Sequence, residues 1–289
     1  MILVTGANGM VGSYFHELAS EFGEPLDLTD IDTLDVRELD AVRRRIRPNQ
    51  YSAVIHLAAE TDVDRCEREP EHAFRTNAVG TQNVALACQS SGTVMVYTST
   101  AGVFGGDGAP GPFTEQDPAH PANVYGASKL AGERHIEALL DRFFIVRPGW
   151  MMGGNAKDKK FVAKILAQVR EGRDIQAVND KVGSPTFARE LVLGMRELLQ
   201  SGRYGLYHMT NHGVCSRYDV ACAIVEYMRS PVRVIPVNSA YFPLPAPRAA
   251  SEAMRNFNLE LVGLDHMSDW RAALVAYLEE CTRQDQGRA

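Results

Sequence analysis

Short runs of apolar, often β-branched residues alternate with stretches of helical periodicity over the first half of the chain. The runs begin at Ile2, Ala53, Val94 and Phe143, and each is strand-sized and too short for a helix. Because each run is apolar almost throughout, we expect strands that are covered by helices on both faces. The pattern predicts an α/β fold with a doubly wound, Rossmann-type parallel sheet.

A basic run in this half belongs to a predicted helix over residues 35–47. Apolar residues from Val36 to Ile46 recur at helical spacing, and Arg43–Arg45 fall in the last turn before Pro48. Basic side chains in the last turn interact favourably with the helix dipole. We therefore interpret the arginines as a solvated helix end rather than a nucleic-acid-binding patch.

The pattern changes after about residue 150 and predicts a smaller C-terminal lobe. The stretch Tyr241–Arg248 contains three prolines and must be extended or a loop. The expected elements are a loop over Met151–Lys160, helices over Phe161–Arg170, Thr186–Gln200 and Arg217–Arg229, and strands over Gly205–Thr210 and Val232–Val237.

Composition narrows the class of protein. The 289 residues are 45% hydrophobic and 23% charged, which excludes a disordered chain, and a net charge of −6 gives no sign of a nucleic-acid or anionic-membrane partner. The five cysteines form no CxxC pair, and His208 and His212 lack a third ligand, so we expect reduced thiols and no metal site. Without a signal peptide or a run of about 20 apolar residues, a cytoplasmic protein is expected.

Three glycines follow the first predicted strand at the start of a helix. Gly6, Gly9 and Gly12 form a G-x-x-G-x-x-G pattern, in which glycine lets the backbone approach a pyrophosphate at the helix N-terminus. The spacing is typical of dinucleotide-binding short-chain dehydrogenases/reductases, particularly their extended branch.

A carboxylate about 20 residues further on is the candidate partner of the adenosine ribose. Asp27 is expected at the end of the second strand, Asp30 and Asp32 add negative charge, and no Arg or Lys lies between Met1 and Val36. A 2′-phosphate would be repelled there, so NAD(H) is favoured and NADP(H) is left open. The alternative is that the aspartates only form turns.

Tyr125 and Lys129 are the catalytic candidates, since residues four apart share one face of a helix. A nearby ammonium favours phenolate and lowers the phenol pKa, so that Tyr125 could exchange a proton with a carbonyl or alcohol oxygen while hydride moves at carbon. Thr100 follows the third apolar run, where it could hydrogen-bond a substrate carbonyl.

These motifs together resemble the extended short-chain dehydrogenases/reductases and, over nearly the whole chain, the dTDP-4-dehydrorhamnose reductase family. The matching segments include residues 5–12, 56–59, 63–70, 77–83, 123–133 and 178–186. The resemblance implies a catalytic set of Thr100, Tyr125 and Lys129. It implies cofactor contacts from Gly6, Gly9, Met10, Val11, Asp35, Val36, Leu57, Ala58, Ala59, Thr61, Asn77, Tyr125 and Lys129.

On the substrate side the resemblance implies a sugar contact from Trp150 and a diphosphate contact from Arg248. The alternatives are a core position for Trp150, a structural salt bridge for Arg248, and for Asn77 a helix start or support of the active-site backbone. A diphosphate contact from Lys157, Lys159 and Lys160 competes with a solvated loop.

The family's Ser-Thr-Asp-Tyr-Val-Phe pattern is replaced here by residues 99–104, which place Ala101 and Gly102 where the family has Asp and Tyr. The family's Arg-Pro-x-Asn-Ser pattern is likewise degraded at Arg248–Glu252. These departures lie on the substrate side, so they leave the cofactor expectation intact and bear on which sugar is bound.

The expected function is reduction of a nucleotide-linked 4-keto-6-deoxy sugar by a nicotinamide dinucleotide. The alternatives are a nucleotide-sugar 4-epimerase and a non-catalytic regulatory subunit that keeps the dinucleotide fold. We expect a dinucleotide-binding domain from residues 1–150 and about 183–210. A substrate lobe would comprise about 151–182 and 211–289, and relatives suggest a homodimer.

Overall fold

Thirteen strands, six of them in one parallel sheet, organise the computed structural model, which describes residues 1–154, 157, 158 and 161–286. The strands are β1 (Ile2–Thr5), β2 (Leu26–Thr29), β3 (Ala53–His56), β4 (Val94–Thr98), β5 (Phe143–Arg147), β6 (Trp150–Met152), β7 (Ile175–Val178), β8 (Val182–Gly183), β9 (Pro185–Phe187), β10 (Gly205–His208), β11 (Cys215–Ser216), β12 (Val234–Val237) and β13 (Ser251–Glu252).

Helices separate these strands along the chain. They are α1 (Met10–Glu17), α2 (Leu39–Arg45), α3 (Val63–Arg68), α4 (Pro70–Phe74), α5 (Gly80–Ser91), α6 (Val124–Leu139), α7 (Phe161–Arg170), α8 (Ala188–Ser201), α9 (Arg217–Tyr227), α10 (Phe257–Val262) and α11 (Trp270–Gln286). A π-helical segment, Arg75–Val79, joins α4 to α5, and short 3₁₀ turns cover Ala19–Phe22, Ala101–Val103 and Ser239–Tyr241.

The large sheet has the strand order β2-β1-β3-β4-β5-β10 and is parallel throughout. One face packs on α1 and α8, through residues such as Phe15 and Leu191, and the other on α2, α5 and α6. The four apolar runs are therefore strands buried between helical layers, as the sequence predicts. The chain reverses its direction of travel between β1 and β3, and ligands bind at the carboxyl ends of strands at such a switch point.

A second hydrophobic cluster lies in the C-terminal part of the chain. It joins α7, α9 and α11 to β7, with Ile165, Ile175, Ala221 and Leu274 among its buried residues. The strand β10 returns to the large sheet beside β5. The division of the chain into two domains at the stated boundaries stays a prediction.

The helix predicted over 35–47 is shorter than expected. It begins at Leu39 because Asp35 folds the preceding segment into a turn: its carboxylate accepts bonds from the backbone N–H of Arg37, at 3.0 Å, and from that residue's guanidinium. The sequence pattern captured the buried apolar face but missed this local competition for the backbone.

The loop predicted over Met151–Lys160 is also partly wrong, because Trp150–Met152 is a strand that pairs with β9. Lys159 and Lys160, named above as candidate diphosphate contacts, lie outside the described residues. Within the described part of the chain, no helix is long and apolar enough to cross a bilayer. The same residues contain no group of three or more side chains that could hold a metal ion.

Candidate functional site

A cavity of about 940 Å³ opens where the carboxyl ends of β1, β3, β4 and β5 meet. Of the residues predicted for the site, those that line it are Gly6, Gly9, Met10, Val11, Asp35, Val36, Leu57, Ala58, Ala59, Thr61, Thr100, Tyr125, Lys129, Trp150 and Arg248. Asp27 and Asn77 are not among its lining residues.

The glycine turn after β1 forms one wall of the cavity, and two of its glycines leave no room for a Cβ. Gly6 has a φ of +69°, and a Cβ there would lie 2.7 Å from the backbone nitrogen of Ala58. A Cβ at Gly12 would lie 2.4 Å from the carbonyl oxygen of Ala7. Both glycines thus let the strand, the turn and the helix approach one another closely.

The helix that follows this turn has an N-terminus suited to an anion. Gly9 precedes Met10, the first residue of α1, and supplies no side-chain cap, and the first turn contains no acidic residue. The first N–H groups of a helix are unpaired and carry positive partial charge. The donors therefore fit a dinucleotide pyrophosphate.

The wall after β3 is fixed from behind by Asn77. Its amide accepts a bond from the Glu60 N–H at 2.8 Å and donates to the Glu60 carbonyl and the Ser128 hydroxyl, each at 3.0 Å. Asn77 is fully buried, and its side-chain amide is engaged in these three hydrogen bonds. These bonds fit the alternative interpretation, in which Asn77 supports the backbone of the loop that lines the cavity, and direct cofactor contact stays a prediction.

Asp27, the acidic residue predicted to contact the adenosine ribose, is not among the residues that line the cavity. Asp27 lies within β2, whose last residue is Thr29, and its carboxylate accepts bonds from Arg45, at 2.6 Å, and from the Tyr51 hydroxyl. The expectation for Asp27 was wrong about where the strand ends. The carboxylate at the strand end is that of Asp30.

Asp30 lines the cavity and is held rigidly. Its two oxygens accept bonds from the backbone N–H groups of Asn8 and Ile31, each at 2.8 Å. Arg37 also lines this wall, but its guanidinium is bound to Asp35 at 2.6 Å, and this contact lowers the pKa of the Asp35 carboxyl. The wall therefore presents an anchored carboxylate beside an already paired arginine.

Thr100, Tyr125 and Lys129 all line the cavity. Tyr125 and Lys129 lie on α6, which the side chain of Asn123 caps by accepting a bond from the Gly126 N–H at 2.9 Å. Thr100 follows β4, and its Oγ1 accepts a bond from the Gly102 N–H at 3.0 Å. The three residues predicted as the catalytic set thus lie in one cavity, and their roles stay a prediction.

The protonation state of Tyr125 differs from the sequence expectation. Burial raises the pKa of its phenol to about 12, and a hydrogen bond with Thr100 only partly opposes this. The sequence predicts that the neighbouring ammonium lowers the phenol pKa, and this expectation is wrong: burial, and not the charge of Lys129, sets the direction of the shift. At neutral pH Tyr125 is therefore a protonated acid.

Lys129 is the other perturbed group. Its side chain is 2% exposed, and its Nζ lies over the Tyr97 ring at 4.2 Å from the centroid. Burial lowers the pKa of the ammonium to about 7, while the carboxylate of Glu133 opposes the shift. Such perturbed groups within a cavity are typical of functional sites.

A buried ion pair fixes the helix that carries both residues. The Glu133 carboxylate accepts bonds from the Arg147 guanidinium, the shorter at 2.6 Å, and from the hydroxyl of Ser99. Because Arg147 ends β5 and Ser99 follows β4, this pair ties α6 to two strands of the sheet.

The far wall of the cavity is built around Trp150. Its Nε1 donates to Glu252 at 2.6 Å, and the guanidinium of Arg217 lies over the indole at 4.0 Å from the ring centroid. Trp150 is thus placed at the cavity, where its own ring face is partly covered by Arg217. Gly183 packs tightly against the indole, since a Cβ there would lie 2.5 Å from Cε2.

Sequence reasoning missed Arg217 and Glu252, which both line the cavity. Arg217 is the first residue of α9, where the helix dipole disfavours a cation, and this was the one available signal. Arg248, which was predicted, has its guanidinium bound to Asp64 at 2.9 Å and to the Ala246 carbonyl at 2.7 Å. Lys157 donates to the Asn8 carbonyl and so lies beside the glycine turn.

The chain is similar to known proteins over nearly its whole length. Residues 1–283 match the family model described as RmlD substrate binding domain. The chain is 37% identical to the dTDP-4-dehydrorhamnose reductase of Mycolicibacterium smegmatis over 276 residues, which are 94% of this chain and 83% of that protein.

Two solved structures are similar to the structure of this chain over nearly their whole length. A dTDP-4-dehydrorhamnose reductase from Clostridium acetobutylicum is 33% identical with a TM-score of 0.92, covering 97% of this chain and 99% of its own. The enzyme from Bacillus anthracis, solved in complex with NADP, is 34% identical with a TM-score of 0.92, covering 96% and 98%.

Proposed function

Because the chain belongs to the dTDP-4-dehydrorhamnose reductase family of extended short-chain dehydrogenases/reductases, we propose that it reduces the ketone of a nucleotide-linked 4-keto-6-deoxy sugar to the alcohol. The observation that carries this proposal is the convergence of Thr100, Tyr125 and Lys129 in the cavity that the glycine turn also lines. Such an enzyme is an oxidoreductase that depends on a nicotinamide dinucleotide.

The glycine turn and the open N-terminus of α1 would hold the dinucleotide pyrophosphate, with Leu57, Ala58, Ala59 and Thr61 beside its ribose and nicotinamide end. When bound, the reduced nicotinamide supplies the hydride that reaches the ketone carbon. The protein must then protonate the oxygen, and the neutral phenol of Tyr125 is the proton donor.

Thr100 and Lys129 assist that proton transfer. The Thr100 Oγ1 already accepts the Gly102 N–H, so its own O–H can donate to the substrate oxygen or to Tyr125. The Lys129 ammonium stabilises the phenolate that remains after transfer and holds ribose hydroxyl groups. Its burial strengthens both electrostatic contributions, because water screens them little.

The cofactor preference follows from the wall that holds Asp30. An anchored carboxylate accepts bonds from a ribose 2′-OH but repels a 2′-phosphate, and the nearby Arg37 is already paired with Asp35. We therefore expect NADH to be used more efficiently than NADPH. The relative from Bacillus anthracis holds NADP in its solved structure, so this preference is a property to measure rather than one shared by all relatives.

The test is kcat/KM for both cofactors in the wild type, Asp30→Asn and Asp27→Asn. Asp30→Asn keeps an acceptor but removes the charge, so the NADH:NADPH ratio falls toward one. Asp27→Asn changes a carboxylate outside the cavity, so the ratio stays as in the wild type. A wild type that prefers NADPH contradicts the assignment to Asp30.

The alternatives differ in measurable ways. A 4,6-dehydratase needs an acid/base pair after the threonine, and Ala101 and Gly102 supply no titratable group. A 4-epimerase returns its hydride to the sugar and consumes no cofactor overall. A regulatory subunit binds the dinucleotide without turning over. A cytoplasmic location and a homodimer stay predictions.

The proposed function is tested by adding dTDP-4-keto-6-deoxy sugar to the protein and NADH, and following the loss of NADH absorbance. Stoichiometric loss of NADH, with appearance of the sugar alcohol, supports the reductase. Conversion of a nucleotide sugar to its 4-epimer without loss of NADH supports the epimerase, and NADH binding without any turnover supports the regulatory subunit.

A further inference from the structure

Two arginines in the substrate half of the cavity differ in how their charge is compensated. Arg248 forms an ion pair with Asp64 and also donates to the Ala246 carbonyl. The Ala246 N–H binds the same aspartate at 3.2 Å. Arg248 thus ties its own loop to Asp64, and its charge is already compensated.

Arg217 is held by aromatic rings instead. Its guanidinium lies between two aromatic rings, 4.0 Å from the centroid of Trp150 and 5.1 Å from that of Phe161. Within the described part of the chain, no carboxylate oxygen lies within ion-pairing distance of it. Burial lowers the pKa of this guanidinium to about 10, which reflects the cost of keeping a charge out of water.

Two acidic side chains that could compensate Arg217 are engaged elsewhere: Asp219, two residues along the chain, and Glu252, which also lines the cavity. Asp219 accepts bonds from the N–H and hydroxyl of Ser216, the N-cap of α9, at 2.8 and 2.7 Å, and so completes a capping box. Glu252 accepts the indole N–H of Trp150 and only raises the pKa of Arg217 through space. Arg217 is also the first residue of α9, a helix of 11 residues, and the helix dipole adds positive potential at that end.

We propose that Arg217 binds the diphosphate of the nucleotide-linked substrate, and that Arg248 is a positioning residue. This inference rests on the proposed function. A planar guanidinium presents paired donors that match phosphate oxygens, and the stacking on Trp150 and Phe161 sets its plane in advance. Lys181 lines the same cavity and adds positive charge there, while its Nζ donates to the Arg248 carbonyl at 3.0 Å.

The assignment gives Trp150 a different role from direct sugar stacking. One face of its indole carries Arg217, and its N–H is bound to Glu252. Trp150 therefore orients the group that meets the diphosphate.

The experiment measures the affinity of the NADH-loaded protein for dTDP and for thymidine by isothermal titration calorimetry. Removing a charge-assisted bond to phosphate costs a factor of about 10 to 100. Arg217→Gln is expected to raise the Kd for dTDP by that factor and to leave the Kd for thymidine unchanged. Arg217→Lys keeps the charge but loses the planar fork, so its Kd for dTDP falls between those of the wild type and Arg217→Gln.

The control is Arg233→Gln, which removes an exposed arginine of the same lobe that pairs with Asp174 outside the cavity. It should bind dTDP as the wild type does, and an unchanged Kd for NADH shows that Arg217→Gln is folded. Equal weakening of dTDP and thymidine by Arg217→Gln, or no weakening of dTDP, overturns the assignment alone. A wild type that binds neither ligand at millimolar concentration overturns the proposed function as well.

Discussion

The two halves of the cavity are built by different means. The cofactor half is made largely of backbone: the turn after β1, the first N–H groups of α1 and the strand end at Leu57–Ala59. The substrate half is made of the side chains of Trp150, Arg217 and Glu252, which are brought together from distant parts of the chain. A site made of backbone tolerates few residue types at each position, whereas a site made of side chains can change its ligand through single substitutions.

The largest effect is expected where the two halves meet, at Tyr125. Tyr125→Phe removes the proton donor, so kcat falls by a factor of about 10² to 10⁴ while NADH affinity is retained. Steady-state kinetics and NADH titration measure the two quantities. The control Tyr204→Phe alters a half-exposed tyrosine that packs on Phe144, and its kcat should equal that of the wild type; a similar loss in both variants would contradict the role of Tyr125.

The next largest effect concerns the buried pair that holds α6 against the sheet. Arg147→Met leaves Glu133 charged and buried without its partner, so the free energy of unfolding falls by about 3–5 kcal/mol. Urea denaturation measures this. The matched change Arg173→Met removes a mostly exposed pair with Glu171 and should lower the free energy of unfolding by about 0–1 kcal/mol. An equal loss in both variants would show that the buried pair contributes no more to stability than the exposed one.

A smaller effect tests the backbone-built half directly. Gly12→Ala places a methyl group against the Ala7 carbonyl, so we expect a loss of about 1–3 kcal/mol in stability and weaker NADH binding. Gly23→Ala, at a φ of +70° with open space around it, costs about 1–2 kcal/mol from backbone strain alone. NADH affinity separates the two, since only Gly12→Ala should lower it; unchanged NADH affinity in Gly12→Ala would show that the turn tolerates a side chain.

The smallest effect is a pH dependence that reports Lys129. Its pKa of about 7 in the free protein means that the charged fraction falls about tenfold between pH 6 and pH 8, and kcat/KM should fall in parallel. Lys129→Arg stays charged and should lose this dependence. A profile that is the same in both proteins would assign the titration to another group.

The same shift fixes the sign of a stability change. The folded protein releases the Lys129 proton near pH 7, whereas the unfolded chain keeps it up to the usual value of 10.5. Between these values the unfolded state binds more protons, so this group favours folding increasingly as the pH rises. Lys129→Met should remove that part of the increase in a series of urea denaturations.

The same difference between the two halves of the cavity explains which features of the fold and the site the sequence predicts. The strands, the glycine turn and the Tyr125–Lys129 pair have local signals, namely period, glycine spacing and a helical offset of four. Asp27 was misplaced because the end of β2 depends on pairing with β1, which no local pattern reports. Arg217 and Glu252 were missed because only the folded chain brings the start of α9, β13 and Trp150 together, and the unfavourable place of Arg217 at a helix start was the one local signal.

Transfer of deuterium from the cofactor distinguishes a reductase from an epimerase and from a regulatory subunit. With NADH carrying deuterium on the transferred face of C4, and with dTDP-4-keto-6-deoxy sugar, we expect one deuterium on the carbinol carbon of the product by NMR and mass spectrometry. Tyr125→Phe should give the same label at a far lower rate. A product without deuterium, or an epimerised sugar with the label still on the cofactor, would contradict the assignment as a reductase.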